Sequence, residues 1–240
     1  IGAQIASALA SGGAELVLSD VNLESLDTTT ASLRARGATV ESLLLDVTDP
    51  SQTEALRDRF SNIDVLINNA GVVHGGEFLS ASLAEHRVTT AVNLDGVMAV
   101  THALLPGMLE RPEAMVVNIA SAAGFIGLPF GTSYAASKWG VVGFGESLRL
   151  ELAELGQSHV RVMHVCPGYV RGELFDGADP IATTGLLSPE GVARCIVRGI
   201  ERNRLWVRMP WVVRWTRVLM AVLPRPIADW VLRATGTARS

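Results

Sequence analysis

A chain of 240 residues that is 48% hydrophobic and 18% charged has the composition of a folded protein, which excludes an intrinsically disordered one. That length suits one large α/β domain with a substantial core. The net charge of −4 hides a division: residues 194–240 hold ten arginines against Glu201 and Asp229, about +8, and everything before them carries about −12.

In chain order, IGAQIASALASGG reads as a helix stopped by Gly12 and Gly13. Residues 14–20, AELVLSD, are an apolar run ending in an acid, the pattern of a buried parallel strand. A helix is predicted over 22–36 up to Gly37, a strand over 39–47, and a helix from Pro50 to about Phe60. IDVLINNAG, 63–71, is a strand running into a glycine turn, followed by a long helical stretch, 83–109, interrupted or ended near Pro106. A strand over 114–121, a helix over 133–155, a strand over 159–168 closed by Pro-Gly, a helix over 188–203 capped by Ser188, and a last strand over 205–209 complete the pattern. Alternating strands and helices predict a doubly wound parallel sheet, and nothing resembling a linker or repeat divides it.

Ligands of such sheets bind beyond the carboxyl ends of the strands. That rule selects Asp20, Asp46, the turn Asn68–Gly71, Ser121 and the corner Pro167–Gly168. Asp20 suits the two hydroxyls of an adenosine ribose and would repel a 2′-phosphate, and Val21, Asn22 and Leu23 after it offer no cation. Capping the helix near Asn22 is a second, compatible role for Asp20.

Lys138 is the only lysine in the chain, four residues after Tyr134, one of two tyrosines. On a helix the pair shares a face, and a neighbouring ammonium favours phenolate, so Lys138 is expected to lower the Tyr134 pKa from near 10. A surface i,i+4 pair is the bland alternative, but Ser121 ends a strand thirteen residues earlier and Asn93 occupies a helix it suits only moderately.

NNAG (68–71), VNLDG (92–96), NIAS (118–121), YAASK (134–138) and PGYV (167–170), in this order, resemble the short-chain dehydrogenase/reductase family over roughly residues 1–203. The resemblance implies a single Rossmann-like domain over 1–203, with helices on both faces of the sheet. Residues 204–240 would then form a strand and helical tail, part of the same domain or a lid. Ile1 and Gly2 look like the last residues of the family's glycine-rich turn, so its first strand and most of that loop are expected ahead of Ile1. The implied catalytic residues are Asn93, Ser121, Tyr134 and Lys138. Asn93 would anchor a water, Ser121 would orient the substrate oxygen, Tyr134 would transfer the proton, and Lys138 would hold the nicotinamide ribose. The implied cofactor contacts are Ile1, Gly2, Asp20, Asp46, Val47, Asn69, Ala70, Gly71, Tyr134, Lys138, Pro167, Gly168 and Val170. The expected cofactor is NAD, with NADP as the alternative, and the expected substrate is an apolar secondary alcohol or its ketone. Gly172 departs from the family, which usually carries there a threonine that helps hold the carboxamide. A dinucleotide-binding sensor without catalysis is the competing function class. Residues 172–187 would wall the substrate pocket.

The five histidines show no metal spacing, so no metal site is expected, and Trp139 is read as packing or a subunit contact. Cys166 and Cys195 make no CxxC and are read as reduced and buried, which suits the cytoplasm. No stretch approaches the roughly eighteen uncharged apolar residues of a membrane span. A homo-oligomer, dimer or tetramer, is expected. Trp206, Trp211, Trp215 and Trp230 interleave with arginine in the tail. A short helix there would carry Arg214 and Arg217 on one side and Val212, Trp215, Leu219 and Val222 around the other. Three readings suit that tail: a lid or subunit contact, peripheral attachment to anionic lipid, or a solvated basic helix; nucleic acid is not expected, since no reading motif accompanies the charge.

Overall fold

The computed structural model describes residues 1–172 and 185–234. Their elements are α1 (Gly2–Ser11), β1 (Leu16–Asp20), α2 (Leu23–Ala35), β2 (Val40–Leu44), α3 (Pro50–Arg59), β3 (Val65–Asn68), α4 (Leu83–Thr90), α5 (Gly96–Leu109), β4 (Ala114–Ile119), α6 (Thr132–Glu154), β5 (Val160–Pro167), α7 (Pro189–Glu201), β6 (Trp206–Met209), α8 (Val213–Val222) and α9 (Arg225–Ala234). Helix starts follow local chemistry. Asn22, Asp49, Ser82 and Ser188 each accept a backbone N–H in the first turn of α2, α3, α4 and α7. The cap of α2 is thus Asn22; Asp20 instead accepts the Asn22 N–H at 2.9 Å.

Every strand pairing is parallel. Among the described residues β3–β4–β5–β6 are hydrogen-bonded in that order and β1 pairs with β2. Within β1, Val17 is 40% exposed. β4, paired on both edges and covered on both faces, is buried throughout. Its side chains alternate: Ala114 and Val116 join a core with α3, α5 and α6, while Met115, Val117 and Ile119 join one with α1 and α7.

The stretch 83–109 does not break at Pro106, which lies inside α5. Its irregularity is a π turn at Ala91–Asp95, around Asn93. By length and composition this stretch could cross a membrane, contrary to the reading of the sequence. Its apolar side chains Val100, Leu104 and Met108 are buried in the core against β3 and β4.

The tail forms two helices, α8 and α9, parted where Leu223 is held extended ahead of Pro224. Val213 is buried against Val97, Phe125 and Val141, whereas Trp215, Leu219 and Val222 face outward. Cys195 is exposed and not buried, since α7 turns Val192, Ala193 and Ile196 inward instead. Trp139 is half exposed and donates Nε1–H to the Ile126 carbonyl at 3.1 Å.

A row of side chains crosses β3, β4, β5 and β6 at one level: Asn68, Asn118, His164 and Trp206 are successive register partners. Asn68 Nδ2 donates to Asn118 Oδ1 at 2.9 Å and to Thr101 Oγ1 at 3.0 Å, and His164 stacks on Trp206 with centroids 4.4 Å apart. Gly145 on α6 gives this row its space. A Cβ there would lie 2.3 Å from His164 Cε1 and 2.9 Å from Asn118 Nδ2. Gly145→Ala should therefore destabilise the fold by about 1–3 kcal/mol. Gly143→Ala, two residues away with nothing within 4 Å, should stabilise it by up to about 1 kcal/mol. Urea unfolding of the two variants measures these opposite signs.

Candidate active site

Because all strands run the same way, their carboxyl ends share one edge, and the residues that follow them collect there. Asp20 ends β1, Asp46 follows β2, Asn69–Gly71 follow β3, Ser121 follows β4, and Pro167 closes β5. α6 then returns across this edge and brings Tyr134 and Lys138, one turn apart, beneath the turn after β3.

Tyr134 is 3% exposed and Lys138 4%. The Lys138 ammonium donates to the Ile119 carbonyl at 2.9 Å, at the last residue of β4, and lies 5.7 Å from the centre of the Tyr134 ring. The Tyr134 phenol shares a hydrogen bond with the Ser121 hydroxyl, and Ser121 Oγ also accepts the Ala123 N–H at 3.1 Å. Asn93, fully buried, clasps one residue of the turn after β3: its Oδ1 accepts the Val72 N–H at 2.8 Å and its Nδ2 donates to the Val72 carbonyl at 2.9 Å. The second proton on Nδ2 goes to Ser137 Oγ at 3.0 Å, and Ser137 donates to the Tyr134 carbonyl at 2.7 Å. Gly71 leaves space over the amine: a Cβ there would lie 3.3 Å from Asn93 Oδ1 and 3.6 Å from Lys138 Nζ. Asn93, Ser121, Tyr134 and Lys138 thus form one buried group.

Burial, not the neighbouring ammonium, sets the charge states here. Desolvation pushes Tyr134 up to about 12, against the smaller lowering by the Ser121 hydrogen bond. This reverses the expected downshift, because the low-dielectric setting disfavours phenolate before any opposite charge is counted. The same burial brings Lys138 down to about 8.

The cofactor positions lie along the same edge but in more open surroundings. Asp20 is exposed, and its one described hydrogen bond uses Oδ1 only. Asp46 Oδ1 is occupied by the Thr48 N–H and hydroxyl at 2.9 and 2.7 Å, and Val47 packs against the start of α5. Asn69 and Ala70 are exposed, and Asn69 approaches Gly2 so closely that a Cβ on Gly2 would lie 2.8 Å from its Nδ2. Ile1 packs partly against the α7 core. Gly168 donates its N–H to the Met209 carbonyl at 2.7 Å, and Val170 is buried in the core. Gly172 has φ +145, a backbone torsion that favours glycine over the threonine usual in the family resemblance. Of the expected pocket wall 172–187, residues 173–184 lie outside the described residues.

These surroundings fit a dinucleotide: a partly free carboxylate at the β1 end, a glycine opening α1 where a side chain would collide, and a buried amine under a glycine turn. Two contributors escaped the sequence reading. Ser137 fixes both Asn93 and the Tyr134 backbone, and its signal was a serine on the buried side of α6, just before the lysine. Tyr169, the second tyrosine, is near enough that its charge would raise the Tyr134 pKa.

Residues 1–180 match the family described as short chain dehydrogenase. The ketoacyl reductase HetN of Nostoc sp. is 36% identical over 234 residues, spanning 92% of this chain and 80% of its own. Estradiol 17-beta-dehydrogenase 11 of Rattus norvegicus is 31% identical over 224 residues, 91% of this chain and 74% of its own. Among solved structures, a short chain dehydrogenase/reductase from Burkholderia phymatum in complex with NAD superposes with a TM-score of 0.82 at 29% identity, covering 91% of this chain and 88% of its own. A short-chain dehydrogenase from Sphingobium yanoikuyae in complex with NADPH gives 0.79 at 28% identity, covering 93% and 92%.

The charge states predict a stability profile. Between about pH 8 and about pH 10.5 the unfolded chain keeps the Lys138 proton that the folded protein has released, so this residue makes folding stability rise with pH across that window. Tyr134 acts oppositely above pH 10, where the unfolded chain loses a phenolic proton that the fold retains to about 12. In Lys138→Met the first rise should be absent, so wild type should gain on the variant from about pH 8 to about pH 10. Urea midpoints of the two proteins across that range give the measurement.

Proposed function

The chain belongs to the short-chain dehydrogenase family of oxidoreductases, and from that premise we propose that it moves a hydride between NAD(H) and an apolar secondary alcohol or its ketone, with Tyr134 as the acid and base. The observation that carries this reading is the burial of Tyr134 and Lys138 together, beside Ser121, at the carboxyl ends of the strands.

When bound, the nicotinamide dinucleotide supplies or accepts the hydride. Asp20 would hold the adenosine ribose, the opening of α1 at Gly2 the phosphates, and Lys138 the nicotinamide ribose. The substrate oxygen would sit against Ser121 and Tyr134. In the reducing direction the carbonyl carbon gains the hydride, the C=O π bond breaks toward oxygen, and Tyr134 donates its proton to that oxygen. Burial keeps the phenol protonated at neutral pH, so the proton is present to donate, while the cost that burial sets on the phenolate must be offset by its neighbours. The phenolate left behind is met by the Lys138 ammonium, charged below about pH 8, and by the Ser121 hydroxyl. In the oxidising direction Tyr134 must first be phenolate, and that same ammonium lowers the energy of this form. Asn93 and Ser137 act by position, since they tie the turn after β3 to the backbone of Tyr134.

Relatives in complex with either nicotinamide cofactor are similar to this chain, so the choice rests on Asp20. An exposed carboxylate at the β1 end, followed by Val21, Asn22 and Leu23, favours NAD, because a 2′-phosphate there would meet a negative charge and no cation. An apolar substrate fits relatives named for a ketoacyl group and for estradiol.

Tyr134→Phe should lower kcat on an apolar ketone panel by about 10²–10⁴-fold while NADH binding, read by fluorescence, stays within about twofold. Undiminished turnover in that variant would remove Tyr134 from the mechanism. Replacing Asp20 with Ala and Val21 with Arg should shift the ratio of kcat/KM for NADH over NADPH by at least about a hundredfold toward NADPH. An unchanged ratio would mean that Asp20 does not select the cofactor.

A further inference from the structure

The tail helices leave a surface that the reaction does not use. α8 is seated by Val213 and α9 by Ala228, which are 5% and 1% exposed. On the outward side Trp211, Trp215, Val218, Leu219 and Val222 are 74%, 57%, 52%, 44% and 75% exposed. Their spacing of four, three, one and three residues places them on one stripe of α8 and the turn before it. Trp230 on α9 is 68% exposed. A stripe of this kind is uncommon on a free surface exposed to water alone.

The charge of the segment says what covers it. Residues 194–240 carry ten arginines against two acids. The tail itself, residues 204–240, holds seven arginines against Asp229, and Arg204 and Arg214 are exposed. A second copy laid on the stripe would bring two such basic segments together, and like charges oppose that contact. An anionic surface is attracted to it. Tryptophan and arginine side by side suit the boundary of a bilayer, where indole rings settle at headgroup depth and guanidinium groups meet lipid phosphates.

We propose that α8 and α9 dock this protein on the surface of an anionic phospholipid bilayer. The apolar stripe of α8 enters the headgroup region, and the arginines of the tail, Arg214 on α8 among them, bind the phosphates. Docking is peripheral: α8 has ten residues, too few to span a bilayer. The contact lies at the rim of the site, because β6 ends at Met209, whose carbonyl accepts the Gly168 N–H, and α8 follows within four residues. If the substrate is apolar, as proposed above, the site then faces the phase in which that substrate dissolves. Docking itself does not depend on that reading.

The test uses the full chain, with vesicles of phosphatidylcholine alone and of phosphatidylcholine mixed equally with phosphatidylserine. Cosedimentation with the mixed vesicles, a blue shift of tryptophan emission, and release as salt rises from about 0.1 M to about 0.5 M are the expected results. The double variant Trp215→Glu, Leu219→Glu, whose side chains are outward and absent from the proposed chemistry, should partition at least about tenfold more weakly. Its circular dichroism and its turnover of soluble substrate should match wild type, which separates failure to dock from failure to fold or react. Absence of binding to the mixed vesicles overturns the proposal, as does undiminished binding of the folded double variant. A dimer that dissociates in that variant, with no vesicle binding by wild type, assigns the stripe to a second copy instead.

Discussion

One buried ammonium organises this site. Lys138 is almost wholly withdrawn from water, and the described structure gives it one backbone carbonyl, that of Ile119, as a hydrogen-bond acceptor. An ammonium in such a setting is held below its ordinary pKa and the phenol beside it above its own. The two shifts have a single origin, removal of solvent, and each raises the energy of a charged form. Charging the phenol is therefore easiest while the amine is charged too. Lysine suits this position because its compact head fits under Gly71 and can turn its remaining protons toward other acceptors, which a planar guanidinium cannot do in the same space.

The rest of the fold keeps that pair in place. Lys138 is tied to the end of β4, while the turn after β3 is tied through Asn93 and Ser137 to the backbone of Tyr134. Asn93 reaches the turn from a π segment, where one added residue in the helical turn redirects a side chain that a regular helix would aim elsewhere. Behind the site, the row Asn68, Asn118, His164 and Trp206 runs across β3, β4, β5 and β6. His164 is held neutral by burial, which lowers its pKa despite Glu146 Oε1 at 3.3 Å. Polar groups placed this deep require one register, since a slip by one residue would leave them facing apolar neighbours.

Much of this was legible from residue order alone. The lone lysine four residues after a tyrosine, the serine closing β4 and the asparagine before it in VNLDG belong to one buried group, as spacing and strand ends suggested. The strand ends were readable because a buried parallel strand is a run of apolar residues and its exit is marked by Asp20, by Asn68–Gly71, by Ser121 or by Pro167–Gly168. The places where expectation failed share a cause. Pro106 looked like a break because periodicity does not show which turn of a helix carries the irregularity. Val213 is buried in the core with Val212 packed partly against it, while Trp215 faces outward, because the direction in which β6 delivers the chain decides which side of α8 meets the core.

By itself, the amino-acid order determined the succession of elements, the parallel α/β plan and the identity of the residues at the strand ends, since each depends on side chains within a few positions of one another. Tertiary structure decided the π turn at Asn93, the outward stripe of α8 and the direction of the Tyr134 shift. Those depend on how much solvent is excluded and by what, a quantity set by segments distant in the chain and therefore absent from any local pattern.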